Sequence, residues 1–172
     1  ARVMRGTWSI AIIVAPRGMR DRMRYEMLRA HAVVMFPRTR AIDDAVRAHA
    51  TPQLVILGAG LDARAYRMRE LADVVVFEID HPDSQRDKQR RVGAAKRAPI
   101  ARELRVVPVD FAVDDALETA LAAAGHDAAQ ATTWILEGVV PYLTNEQIEG
   151  TLATVSKRSA TSSRIVVAYQ SP

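Results

Sequence analysis

The sequence predicts an α/β protein: a parallel β-sheet with helices on both faces. Three observations carry this. Apolar runs of strand length alternate with segments of helical period over residues 53–169. The first run, 54–57, breaks into Gly58-Ala59-Gly60, and the second, 74–80, ends on Asp80. Two later runs also end on acids, Asp110 and Glu137. Near-continuous apolar strands suit burial on both faces, as parallel sheets require. Ligands of such sheets sit outside the carboxyl ends of the strands.

Each element has its own signal. Met19, Met23, Met27, Leu28 and His31 recur at helical spacing and predict a helix over 17–35. A second helix is predicted over 41–50, where Thr51-Pro52 stops it. Strand 53–57 is followed by a helix over 63–71, and strand 74–79 by a helix within 81–96. Strand 104–109 leads to a helix over 113–124, and strand 133–136 to a helix over 145–158. Strand 164–169 closes the series. Gly125 suits a helix C-cap, whereas Gly150 sits inside a predicted helix.

A chain of 172 residues, 49% of them apolar, has room for one domain with a sizeable core, and disorder is excluded. We expect a single domain, 1–172, with a helical segment over 1–50 and the sheet core over 51–172. The apolar run 10–15 is too short to cross a bilayer and lacks a signal-cleavage pattern. With no cysteine, disulfides, thiolate metal ligands and a cysteine nucleophile are excluded, which fits a reducing, cytoplasmic location. His31, His49, His81 and His126 show no metal-ligand spacing, so no metal is expected. Ser156, Ser159, Ser162 and Ser163 lack the G-x-S-x-G elbow.

The net charge is +4, and only Lys88, Lys96 and Lys157 are lysines. One basic stretch contains Arg17, Arg20, Arg22, Arg24 and Arg29; another contains Arg86, Lys88, Arg90, Arg91, Lys96 and Arg97. Without interleaved aromatics these read as solvated helix faces rather than a nucleic-acid surface.

Gly58-Ala59-Gly60-Leu61-Asp62-Ala63 fits G-x-G-x-x-A, a turn that lets a ligand approach the backbone and that nicotinamide and flavin enzymes share. A carboxylate at Asp80, one β-α-β unit later, can accept from two ribose hydroxyls. It can also serve as the N-cap of the next helix. Asp110 can accept from an adenine amino group, and Glu137 can face a cationic ammonium or sulfonium. Three acids around one crevice disfavour a pyrophosphate, which needs donors and positive charge.

LGAGLDAR, FEIDHP, VPVDF and LEGVVPYL, preceded by PRTRAIDD, resemble the leucine carboxyl methyltransferase-like family. That family includes polyketide O-methyltransferases and many actinobacterial S-adenosylmethionine-dependent methyltransferases. The resemblance covers about residues 37–170. It implies a class I, Rossmann-like methyltransferase fold with S-adenosyl-L-methionine as cofactor. By the family pattern Gly58, Ala59 and Gly60 line the methionine and ribose parts. Asp80 takes the ribose hydroxyls, Asp110 and Phe111 hold the adenine, and Glu137 lies beside the methionine moiety. An arginine of Arg38-Thr39-Arg40 pairs with the cofactor carboxylate. Arg40 is favoured, because a guanidinium fork suits a carboxylate and this residue heads the helix leading to the first strand.

Family members are longer, and their sheet continues past the fifth strand into a closing antiparallel pair. The segment 10–40 is also compressed. The sequence is therefore expected to be part of a longer chain, with the C-terminal strands outside it. No residue stands out as a necessary general base, although Tyr142, in the turn after Glu137, is placed to face the site.

The favoured function is O-methylation of a carboxylate or hydroxyl on a small molecule. The alternatives are a nicotinamide-dependent oxidoreductase, which lacks a Tyr-Lys or His catalytic pair here, and a non-catalytic nucleoside-binding protein.

Overall fold

The computed structural model describes residues 17–113 and 115–169. The 10–15 run and Gln170 lie outside them, as do the side chains of Arg17, Arg20 and His31. Two compact units are present, residues 1–43 and 44–172.

The first described element is one helix, α1 (Arg17–Ala48), where the sequence predicted two. The gap expected between them, residues 36–40, is helical, and Pro37 lies inside α1. An interior proline removes one backbone donor and crowds the carbonyl four residues back, yet the hydrogen-bond ladder on either side carries the helix through. Arg22, Arg24 and Arg29 are exposed on α1, as predicted for a solvated face. Among the described residues, no helix is long and apolar enough to cross a membrane.

The second unit is an alternating β/α array. Its strands are β1 (Gln53–Leu57), β2 (Val75–Asp80), β3 (Glu103–Pro108), β4 (Thr132–Glu137) and β5 (Arg164–Ala168). The helices are α2 (Arg64–Arg67), α3 (Pro82–Ala94), α4 (Ala116–Ala123) and α5 (Asn145–Lys157). The sheet order is β3-β2-β1-β4-β5, with every pairing parallel. All five residues of β1 are buried, as are the first five of β2 and of β4. This is the two-sided burial that the unbroken apolar runs predicted.

One face packs Val55, Leu57, Phe77, Ile79, Trp134 and Leu136 against Leu117 and Leu121 of α4 and Val155 of α5. Each such side chain removed from water stabilises the fold by about 1.5–3 kcal/mol. On the other face α3 turns Gln85 and Lys88 inward. The Gln85 side chain donates to the Glu78 carbonyl at 2.8 Å.

Local chemistry explains where elements start and stop. The helix expected over 63–71 is one turn, α2, followed by a 3-10 turn at Arg69–Leu71, because Met68 between them is extended. α4 starts later than predicted, after Asp115 in a left-handed conformation. It ends as predicted at Gly125 (φ 77°), where Gly125 N–H donates to Ala122 O and His126 N–H to Leu121 O. A capping box at Thr144 and Gln147 starts α5, and exposed Gly150 sits within it.

At the amino end of the sheet the His126 ring lies between Phe77 and Trp134, with centroids at 5.4 and 5.1 Å. Arg158 donates to its Nδ1 at 3.4 Å, so Nε2–H donates to Thr132 Oγ1 at 3.1 Å. Burial, reinforced by the Arg158 charge, lowers the His126 pKa from 6.5 to about 4. The unfolded chain then binds more protons between these values, so stability falls as pH drops from 6.5 towards 4. The expected loss attributable to His126 is on the order of 3 kcal/mol. Urea unfolding of the wild type and of His126→Gln at neutral pH and near pH 4 should show it as acid sensitivity that the variant lacks.

Candidate functional site

The parallel register places the carboxyl ends of β1, β2 and β4 side by side. Leu57 is level with Ile79 of β2 and with Leu136 of β4, so Gly58, Asp80 and Glu137 emerge together. The strand order reverses between β1 and β4, the position at which open α/β sheets form a crevice.

The turn after β1 is fixed by its own hydrogen bonds. Gly58 and Ala59 N–H donate to Ile79 O at 2.8 and 2.9 Å. Gly60 N–H donates to Asp80 Oδ2 at 2.6 Å, and His81 N–H to Asp80 Oδ1 at 2.6 Å. Asp80 therefore spends one lone pair of each oxygen on backbone and keeps others for a ligand. It is not the cap of α3; that residue is His81, whose Nδ1 accepts from Asp83 N–H at 3.3 Å.

Gly58 is required twice over. Its φ is +71°, and a Cβ there would lie 2.0 Å from Val139 Cγ2. Gly60, at φ +45°, has space around it but the same left-handed backbone.

These ends frame a cleft of about 530 Å3. Gly58, Asp80, Asp110, Phe111, Glu137 and Tyr142 line it. The sequence had named all six. Asp110 is exposed, and its Oδ1 accepts from Ala112 N–H at 2.9 Å, leaving the rest of the carboxylate for the cleft. Phe111 packs its ring against the core cluster and is half-buried. Tyr142 is 75% exposed at the mouth. Ala59 is buried within the turn, and Gly60 acts through its contact with Asp80. Arg40 is exposed on α1. Three of the described lining residues are acids, and none is lysine or arginine.

Sequence reasoning missed Arg64. Its side chain is 2% exposed and joins two carboxylates. Nη1 donates to Glu137 Oε2 at 2.9 Å and also to Asp62 Oδ2. Asp62 Oδ1 in turn accepts from Arg64 N–H at 2.7 Å at the start of α2. The guanidinium thus ties the glycine turn to the end of β4. Glu137, 14% exposed, still borders the cleft beside this cluster. His81, Ser84, Val139 and Gln147 also line it without a signal in the sequence.

The second basic stretch is largely matched by acids on its own helix. Arg86 pairs with Asp83, while Arg90 and Arg91 reach Asp87 at 3.2 and 2.7 Å. Lys88, expected on that charged face, instead points inward and lies 2.6 Å from Glu78 Oε2, with the two side chains 5% and 1% exposed.

A parallel sheet in the order β3-β2-β1-β4-β5, with a glycine turn after β1 and acids at the strand ends, defines an α/β protein of the Rossmann-like class. Solved structures share this architecture. An O-methyltransferase, provisionally so named, from Nostoc punctiforme aligns with TM-score 0.56 at 11% identity over 81% of this chain and 38% of its own. The glycopeptide N-methyltransferase MtfA, complexed with sinefungin, aligns with TM-score 0.53 at 14% identity over 74% of this chain and 47% of its own.

Residues 9–156 match the leucine carboxyl methyltransferase family, and the chain belongs to it. A relative from Mycolicibacterium gilvum, provisionally named an S-adenosyl-L-methionine-dependent methyltransferase, is 40% identical over 146 residues, 82% of this chain and 47% of that protein. One from Streptomyces coelicolor with the same provisional description is 41% identical over 132 residues, 74% of this chain and 45% of that protein. The chain thus spans less than half the length of these relatives. Membership displaces the oxidoreductase reading that the glycine pattern alone had left open.

The Gly58–Val139 contact supplies a stability test. Gly58→Ala combines a clash with a left-handed backbone and should destabilise by about 1–3 kcal/mol. Adding Val139→Ala removes the clashing methyl and should restore only part of this. Denaturant unfolding of the two single variants and the double variant separates the steric share from the backbone share.

Proposed function

We propose that this chain binds S-adenosyl-L-methionine at the carboxyl end of its sheet and takes part in methyl transfer to an oxygen of a small molecule. The single observation that carries this is the acceptor-rich cleft itself. Asp80 offers free lone pairs beside the glycine turn, and among the described lining residues no arginine or lysine favours a pyrophosphate.

The residues present fit the cofactor. Asp80 would take the ribose hydroxyls, Asp110 and Phe111 the adenine, and Gly58 the closely approaching backbone side. The Glu137 carboxylate, held by Arg64, would lie beside the methionine moiety with its ammonium and sulfonium charge. Arg40 is the proposed partner of the cofactor carboxylate. Bound there, the cofactor supplies a methyl group already activated on sulfur.

The protein's part is placement. A carboxylate or phenolate acceptor carries its own charge and needs little proton removal, so holding it in line is the main contribution. Tyr142 at the mouth is placed to orient it. The matched charges of α3 argue against phosphate neutralisation by that helix, which favours a small acceptor over a nucleic acid. A cytoplasmic location fits a chain with no cysteine.

Calorimetric titration tests the reading. S-adenosyl-L-methionine and its demethylated product should bind saturably, and NAD should not. Asp80→Ala should weaken binding by about 1.5–3 kcal/mol, the scale of a hydrogen bond to a charged group. The opposite ranking of NAD and S-adenosyl-L-methionine would overturn the assignment.

Arg40→Ala provides an independent check. It should weaken S-adenosyl-L-methionine while leaving 5′-methylthioadenosine, which lacks the amino-acid carboxylate, nearly unchanged. Equal losses for both ligands would remove Arg40 from the site.

A further inference from the structure

Gln147 lines the cleft and also a smaller cavity of about 230 Å3 against α5. Among the described residues, Phe111 is the other lining residue that the two spaces share. These two side chains therefore stand together where the cleft meets the smaller cavity.

The Gln147 amide is oriented by contacts that involve no ligand. It closes the capping box of α5: Oε1 accepts from Thr144 N–H at 2.8 Å, while Gln147 N–H donates to Thr144 Oγ1 at 3.3 Å. The backbone is held as well, since Gln147 O accepts from Thr151 Oγ1 at 2.7 Å. Only the oxygen of an amide can accept from an N–H, so the cap itself decides which way round the side chain lies. Nε2 is thereby turned away from the cap with two N–H donors. No acceptor among the described residues meets them, and Nε2 keeps access to solvent. The result is a neutral donor fixed on the wall of a cleft whose three acids, when ionised, can only accept.

An adenine ring needs both kinds of partner: its amino group donates and its ring nitrogens accept. Asp110 suits the amino group but cannot serve a ring nitrogen. Of the other polar side chains lining the cleft, His81 and Ser84 follow β2 beside Asp80, and Tyr142 is 75% exposed at the mouth. Gln147 is the donor that adjoins Phe111. We propose that Gln147 is a further nucleobase-recognition residue, donating from Nε2 to one of the two ring nitrogens that flank the adenine amino group. The inference rests on the S-adenosyl-L-methionine reading and adds a specificity-determining residue to it.

The test is calorimetric titration of the whole chain with S-adenosylhomocysteine and with its 1-deaza and 7-deaza analogues, each of which lacks one of those ring nitrogens. The wild type should bind one analogue about tenfold more weakly than S-adenosylhomocysteine, the scale of a single hydrogen bond, and the other equally well. Gln147→Glu keeps the capping oxygen and gives up the donor, so its melting temperature should be unchanged. Its added charge acts on all three ligands alike, so the readout is their ratio. The preference for S-adenosylhomocysteine over the sensitive analogue should vanish. Gln147→Met gives up the cap as well; its melting temperature should fall, and the preference should vanish equally. A wild type indifferent to both ring nitrogens, or a preference that survives in either variant, would overturn the role of Gln147 and leave the cofactor reading standing. A wild type that does not bind S-adenosylhomocysteine at all would overturn both.

Discussion

The N–H groups of Gly58 and Ala59 both donate to the carbonyl of Ile79, and that of Gly60 donates to the Asp80 carboxylate at 2.6 Å. This stitch between the turn after β1 and the end of β2 fixes the geometry of the carboxyl rim. It is available only because the two strands run parallel with Leu57 level with Ile79. A shift of one residue would turn every β1 side chain to the opposite face and take the glycines away from Asp80. The buried apolar side chains of β1, β2 and β4 therefore do more than stabilise. They set the register that puts three backbone donors and a carboxylate in one place.

Charge is distributed around this stitch in two buried clusters with different demands. Arg64 lies between Asp62 and Glu137, so the turn and the end of β4 share one cation. Glu78 and Lys88 form a separate pair beneath α3. Burial pushes the Glu78 carboxyl up and Lys88 pulls it back down. Removing one partner of such a pair costs about 3–5 kcal/mol, although replacing both with apolar groups is often neutral. Stability alone therefore does not call for Glu78 and Lys88.

The positions of the strands were legible in the sequence, most plainly β1, β2 and β4, because two-sided burial leaves a near-continuous apolar run whatever the tertiary detail. The cleft acids were legible for a related reason: a polar residue ending such a run has one direction to face. What was not legible depends on contacts between distant segments. Arg64 looks like any surface arginine until Glu137, far along the chain, reaches it. Lys88 looks like one member of a basic stretch, and only the pairing of α3 with β2 turns it inward to Glu78. The gap between the two expected N-terminal helices erred in the opposite sense, since α1 runs through Pro37 despite its missing backbone donor. The short α2 was hidden because Met68 departs from helical geometry without a glycine or proline to announce it.

Among the described residues, the lining of the cleft comes from 58–147, at the ends of four successive strands and in the segments that follow them. Under the proposed reading, the acids among them are engaged with the nucleoside and the cationic end of the cofactor. Few polar groups then remain to choose an acceptor. Those nearest the mouth are the exposed Tyr142 hydroxyl and Gln147, and the Gln147 side-chain oxygen already accepts from Thr144 N–H at 2.8 Å. An oxygen acceptor that brings its own negative charge fits this poverty of local bases better than an amine, which must lose a proton before it can attack. Under the proposed reading, a carboxylate or phenolate acceptor asks least of the cleft, because little proton removal is needed there.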